Sequence, residues 1–126
     1  MSTNVREFEL QIRRFEDELP EQHRKRVQEI ALDAISSITE KTPVDTGFAW
    51  MNWNLSLDRP DFSTGESRAD PLSRAGPELK RLKPFQDVYI ANGAEYIGEL
   101  EDGHSKQAPY GMVATTLARI RSKYGL

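Results

Sequence analysis

The chain has 126 residues, the length of about one domain, with 37% hydrophobic residues, 29% charged residues and a formal net charge of −3. It contains no cysteine, which excludes disulfides, thiolate zinc sites and a cysteine nucleophile, and no apolar run of about 18 residues that would predict a transmembrane helix. We expect no signal peptide, and the acidic balance disfavours generic binding to DNA phosphates.

The N-terminal residues are predicted to form a short helix that ends at about Leu19. Phe8, Ile12, Phe15 and Leu19 recur at spacings typical of one helical face. Pro20 then interrupts the pattern, because proline ends a preceding helix but is tolerated in the first turn of the next one.

A second and stronger helix is predicted from about Pro20 to Lys41 or Thr42, where Pro43 disfavours the α conformation. Its charged residues, including Asp33, mostly fall outside one continuous apolar stripe. Such a stripe usually packs into a core or against a neighbouring subunit. The stripe consists of Val27, Ile30, Ala31, Ala34, Ile35 and Ile38.

The residues Thr42–Gly47 are predicted to form a firm loop, since Pro, Asp, Thr and Gly each favour turns. From Met51 to Asp58 apolar and polar residues alternate, which predicts a half-buried strand. Met51, Trp53, Leu55 and Leu57 would share its buried face.

The segment 59–76 is polar, with recurring Gly and Pro, and is predicted to be a long loop that is either functional or disordered until bound. Pro77–Lys83 could form one or two helical turns. Asp87–Ala91 is predicted to be a strand closed by Asn92 and Gly93, a pair that often makes a hairpin turn.

A last helix is predicted after Ala108–Gly111, with Pro109 in its first turn. These elements predict a single α+β domain over residues 1–126, with a long loop at about 59–76. A small antiparallel sheet would pack with the long N-terminal-region helix and the C-terminal helix. The helical apolar positions of that last helix are Val113, Thr116, Leu117, Ile120 and Tyr124.

The sequence offers few residues for catalysis or metal binding. His23 is predicted to be a solvated side chain on the polar side of the second helix. His104 lies near acidic residues, but without the spacing of a zinc site. Asp45 and Thr46 lack a base and are explained by capping of the turn. We predict no catalytic residue, no metal and no cofactor.

Two charged clusters stand out, and each is either a solvated face or half of an intersubunit contact. The basic cluster is His23, Arg24, Lys25 and Arg26. The acidic cluster is Glu95, Glu99, Glu101 and Asp102.

Two segments resemble a known family. One is Glu40–Gly47, with the sequence EKTPVDTG, which follows an amphipathic helix and precedes a strand rich in Trp and Asn. The other runs from Val88 to Gly103 and continues into Gln107–Val113, with the sequence QAPYGMV. In this order and spacing, over roughly residues 27–120, the chain resembles the head–tail joining and tail-completion proteins of long-tailed phages.

The resemblance implies a structural role without enzyme activity. It implies that the residues of three turns and of the start of the last helix shape the fold: Pro43, Asp45, Gly47, Asn92, Gly93, Glu99, Gly103, Pro109 and Gly111. The chain departs from the family at Phe48, where a basic residue is common. The 59–76 loop is specific to this chain, and its candidate partner-facing residues are Arg59, Phe62, Arg68, Leu72 and Arg74.

The expected function is therefore that of a virion structural protein at the head–tail junction of a siphophage, assembled in the bacterial cytoplasm. Its expected partners are further copies in a homo-oligomeric ring, predicted to be a hexamer, a head-side connector or stopper, and a tail tube or terminator. DNA would pass through the lumen without specific binding, and no membrane is involved. The alternatives are a tail terminator proper, a small hydrolase using His104, or a nucleic-acid-binding module using the basic cluster.

Overall fold

The structure is a computed structural model that describes residues 7–10, 12, 15–44, 47–95, 97 and 111–126. Three strands and four helices are found in these residues, which confirms the predicted α+β class. In chain order they are β1 (Glu7–Leu10), α1 (Pro20–Lys41), α2 (Phe48–Met51), β2 (Trp53–Leu57), α3 (Pro71–Lys80), β3 (Val88–Asn92) and α4 (Val113–Tyr124).

The three strands form one antiparallel sheet in the order β1-β3-β2. The central strand β3 pairs on both sides, and Leu10 and Leu57 both lie opposite Val88. Val88 and Ile90 of this strand are completely buried. The sheet is covered by α1 and α3, and α4 packs on α1.

The predicted helix before Leu19 is wrong, because residues 7–10 form strand β1 instead. The apolar spacing there imitates a helix over only a few residues. Pairing with β3, some 80 positions later in the chain, supplies the backbone hydrogen bonds that decide the conformation.

The long helix α1 has the predicted limits, with Pro20 in its first turn and Thr42 as its C-cap. Every residue of the predicted apolar stripe is buried. Around it lies the core, to which the sheet, α3 and α4 all contribute. At the end of α1, the Thr42 hydroxyl donates to the Ile38 carbonyl at 2.7 Å and so caps the last turn of the helix.

The strand predicted from Met51 begins later than expected. Residues Phe48–Met51 form the single-turn helix α2, and β2 starts at Trp53. The expectation of one polar, solvated face is also wrong, since Asn54 is as buried as Trp53 and Leu55.

The predicted loop 59–76 is only partly a loop, because helix α3 begins at Pro71. Asp70 caps the helix by accepting a hydrogen bond from Ser73 N–H at 3.0 Å. Pro77, predicted to start a helical segment, lies inside this helix. Before α3, residues 59–70 run as irregular but specifically bonded backbone.

The last helix is confirmed as α4, and four of its five predicted apolar positions are buried while Tyr124 is half-buried. It begins at Val113, and Pro109 lies outside the described residues. None of the helices described is long and apolar enough to cross a membrane.

Candidate functional site

A buried junction beside the sheet joins the second segment of the family resemblance to helix α2, which directly follows the first segment. Asn92, the last residue of β3, donates from Nδ2 to the Ala49 carbonyl of α2 at 2.8 Å. Its Oδ1 accepts a hydrogen bond from Ala94 N–H at 2.9 Å. Nearby, Trp53 Nε1 donates to the hydroxyl of Thr42 at 2.8 Å. The turn after α1 is thereby joined to the sheet through satisfied polar groups.

Glycine is required at two of the predicted turn positions for different reasons. Gly47 has a φ of +74° and starts α2, a conformation that side chains disfavour. Gly93 follows β3, where a Cβ atom would lie 1.9 Å from the carbonyl oxygen of Phe62. The predicted Asn-Gly hairpin is wrong, since both partners of β3 precede it in the chain. Gly93 instead lets the 59–70 segment cross closely.

The other predicted turn residues are only partly described. Pro43 is buried directly after α1. Gly111 has a φ of +83° just before α4. Asp45, Glu99, Gly103 and Pro109 lie outside the described residues.

The sequence gives little sign of an asparagine–arginine cluster, which consists of Asn52, Asn54, Arg68 and Arg74. Asn52 is completely buried and uses its whole amide. Its Nδ2 donates to the carbonyls of Phe48 and Gly65, and its Oδ1 accepts from Gly65 N–H and from Arg68 Nη1. All four hydrogen bonds of the amide are made, which fixes Asn52 and the backbone at Gly65 in one arrangement.

Asn54 makes the second half of the same cluster. Its Nδ2 donates to the carbonyls of Asp61 and Ser63 at 2.8 and 2.9 Å. Its Oδ1 accepts a charge-assisted hydrogen bond from Arg74 Nη1 at 2.7 Å. The irregular segment is therefore held against β2 by side chains that the alternating pattern assigned to solvent.

Arg74 closes the outer edge of β2. Its Nη2 donates to the carbonyls of Met51 and Trp53, and its Nε donates to the Ala69 carbonyl at 2.9 Å. Burial lowers the pKa of Arg74, and the nearby Arg68 lowers it further. A guanidinium on the exposed carbonyls of an edge strand protects that edge from pairing with another chain.

Two of the five residues predicted to face a partner make hydrogen bonds within the chain. Arg68 and Arg74 are bound to this chain's own backbone and asparagine amides, because the carbonyls of the irregular segment and of β2 need donors. Arg59, Phe62 and Leu72 are exposed. Their contact with a partner stays a prediction.

The basic cluster is also corrected. His23 is buried rather than solvated: its Nε2 lies 2.7 Å from the Ile12 carbonyl, and its ring stacks on Phe85. Arg24 pairs with Glu21. Arg26 binds Glu18 at 2.8 Å. The cluster therefore does not form the continuous basic face that a nucleic-acid-binding module would use.

The acidic cluster falls mainly outside the described residues. Glu95 is exposed after β3, whereas Glu99, Glu101 and Asp102 are not described. His104, the residue of the hydrolase alternative, is not described either. Their roles stay predictions.

Asp33 joins α1 to α4. It accepts hydrogen bonds from Arg119 at 2.7 Å, Lys123 at 2.8 Å and Tyr124 at 2.5 Å. Burial acts to raise the pKa of Asp33, but the three donors outweigh it and hold the pKa at about 2. The three donors lie 86 to 91 positions away, so the cluster fixes the C-terminal helix over a long sequence separation.

The described residues contain no group of three or more His, Asp or Glu side chains arranged to hold a metal ion. A surface groove of about 570 Å³ lies beside the end of β2, and its titratable side chains are carboxylates and arginines without a histidine. Asp58, Asp61 and Glu78 line it together with Arg59 and Arg81. The groove therefore carries charges of both signs.

Comparison of the chain with protein-family models, with curated proteins and with solved structures finds no match.

Proposed function

We propose that this chain is a virion structural protein that forms a ring at the head–tail junction of a siphophage. In this role it completes the tail end and joins it to the head connector. The proposal rests on the family resemblance of two sequence segments and on one observation about them. Asn92 of the second segment donates to the Ala49 carbonyl of α2, the helix that directly follows the first segment, so the fold brings the neighbourhood of the first segment against the second.

The order of the elements agrees with that resemblance. The amphipathic helix α1 leads into the Thr42–Gly47 turn, two antiparallel strands follow, and the last helix begins after Gly111. The hydrogen bonds from Asn92 to Ala49 and from Trp53 to Thr42 tie each segment to the residues between them, which supports the interpretation of both motifs as parts of one structural framework.

The surface of the described residues suits assembly more than catalysis. Several large apolar side chains are exposed, and charges of both signs line the groove beside β2. In a closed ring each subunit presents one face to a different face of its neighbour, so charge patterns set register and partner choice. The cluster at Arg74 closes one sheet edge and restrains indiscriminate strand pairing.

A genetic experiment tests the proposal in the phage that encodes the chain. Deleting the gene should leave filled heads and separate tails that fail to join, and the wild-type chain supplied in trans should restore joined particles. The matched variant Asn92→Leu removes both polar contacts of the junction and should restore few particles, whereas the exposed Ser122→Ala should behave as wild type. Normal virions without the chain would contradict the proposal.

A further inference from the structure

Three large apolar side chains are exposed around the start of α1. Phe15, Leu19 and Phe85 each keep 60% of their surface accessible. Together they expose about 300 Å² of apolar surface, taking whole aromatic side chains as roughly 150–250 Å². An apolar patch of this size on a small protein is often functional. We call these three residues the apical patch.

The patch is held rigidly in place. The Phe15 ring lies 4.0 Å from the guanidinium of Arg26, which also binds Glu18 through two hydrogen bonds. Glu18 in turn accepts from Phe15 N–H and donates its own N–H to the Phe15 carbonyl. A turn with so many polar contacts fixes an exposed phenyl ring instead of letting it fold inward.

Phe85 is presented by a second rigid turn. Its φ of 65° is a left-handed conformation that bulky side chains rarely adopt, and its ring stacks on the buried ring of His23. Hydrogen bonds between Lys83 and Gln86 close this turn. Strain at an exposed aromatic residue points to a contact that uses it.

The surroundings of the two turns carry opposite net charges. Glu16 and Asp17 are exposed in the turn beside Phe15. Near Phe85, Lys83 in the turn and Lys80 at the end of α3 are exposed, together with one acidic residue, Asp87. Arg26 contacts Phe15 in one turn, and His23 contacts Phe85 in the other. These two residues of α1 are three positions apart, so both turns lie beside the same end of the helix. Leu19 lies one helical turn before His23, at that end.

We infer that the apical patch binds the same patch of a second copy of this chain, related by a two-fold axis. A two-fold contact must complement itself, and an apolar centre with an acidic side and a basic side does so. The acidic turn of one copy then faces the basic turn of the other. The contact goes beyond the proposed function, since it needs neither a ring nor a virion.

The size of the patch sets the expected affinity. Two copies would bury about 600 Å² of apolar surface, about half of the smallest total area typical of specific interfaces, which is roughly 1,200 Å². The pair should therefore be weak, with a dissociation constant in the micromolar to millimolar range. Opposed charges would set its orientation.

Sedimentation of the purified chain tests the inference with two charge-reversed variants. Glu16→Lys/Asp17→Lys makes both sides of the patch basic, and Lys80→Glu/Lys83→Glu makes both acidic. Each alone should bind itself at least tenfold more weakly than wild type, whereas an equimolar mixture should recover the pair. The control Glu40→Lys/Glu66→Lys changes the net charge by the same amount as Glu16→Lys/Asp17→Lys, but at other exposed sites, and should associate as wild type does.

The variant Leu19→Ser tests the contact between copies without weakening the fold. Serine is a better N-cap than leucine, so α1 should be at least as stable while the centre of the patch becomes polar and association falls. Dimer formation that returns only when the two charge-reversed variants are mixed would support the inference. A wild-type chain that stays monomeric up to about 1 mM, or assemblies that none of these variants changes, would overturn it.

Discussion

Asn92 Nδ2 and the Ala49 carbonyl oxygen are 2.8 Å apart in a buried hydrogen bond that spans 43 positions of sequence. It links the end of the central strand to the short helix after the Thr42–Gly47 turn. The same amide binds Ala94 N–H, so one side chain fixes both the helix before β2 and the backbone after β3. This relationship ties the second motif segment to the helix that directly follows the first.

Removing that amide should destabilise the fold measurably. Asn92→Leu removes the buried hydrogen bonds that the amide makes to the Ala49 carbonyl and to Ala94 N–H, which should lower the free energy of unfolding by about 1–3 kcal/mol. Urea denaturation measures the change. Ser122→Ala on the exposed side of α4 should change the same quantity by no more than about 0.5 kcal/mol. A similar small effect for Asn92→Leu would show that the junction does not hold the fold together.

Two glycine substitutions should have opposite effects. Gly93→Ala places a methyl group against the Phe62 carbonyl, where a Cβ atom would be 1.9 Å away, so the backbone must shift. We expect a loss of about 2–4 kcal/mol. Gly76→Ala lies in α3 with nothing within 4 Å of the new methyl group. It should stabilise the protein by roughly 0.4–1 kcal/mol. Equal effects in thermal unfolding would refute the close crossing at Gly93.

Arg74 should resist even conservative replacement. Lysine keeps the charge but loses the planar fork that reaches Asn54, Trp53 and Ala69 together, so Arg74→Lys should cost about 2–3 kcal/mol. Arg81→Lys, at an exposed guanidinium, is the matched control and should be nearly neutral. Unfolding curves for the two variants that coincide would mean that the cluster adds nothing to stability.

Acidification should weaken the tie between α1 and α4. The native pKa of Asp33 is held at about 2, below its unfolded value near 4, so its stabilising effect is full above pH 4 and disappears as pH falls toward 2. Because solvent screens such a site, we expect about 1 kcal/mol.

Asp33→Asn provides the test of this pH dependence. The wild type should be more stable than the variant at neutral pH, and the difference should shrink between about pH 4 and pH 2. Glu40→Gln, an exposed carboxylate of the same helix, should not reproduce the trend. A difference between wild type and Asp33→Asn that stays constant over this range would contradict the assigned role.

The sequence predicts α1 and α4 well because their apolar periods extend over several turns. It fails at β1 because a four-residue strand depends on a distant partner, β3. Helix α3 is largely polar, and its Gly and Pro residues hide it from a pattern of apolar spacing. The adjacent Asp70 and Pro71 are a helix-start signal that could have revealed it.

The asparagine–arginine cluster lies beyond what the pattern could predict. The alternation of residues 51–58 places Asn52 and Asn54 on a face opposite the core, which is normally solvated. Only the folded chain shows that residues 59–70 cover that face and that Arg74 reaches β2 from α3. Similarly, Asp33 has no local partner and finds its donors on α4.

We propose that copies of this chain assemble into a ring at the end of a phage tail. The most direct test is negative-stain electron microscopy of the purified chain mixed with the tail and connector proteins of the same phage. The proposal predicts closed rings seated at the tail ends. A chain that remains monomeric in every mixture, with bare tail ends, would contradict it.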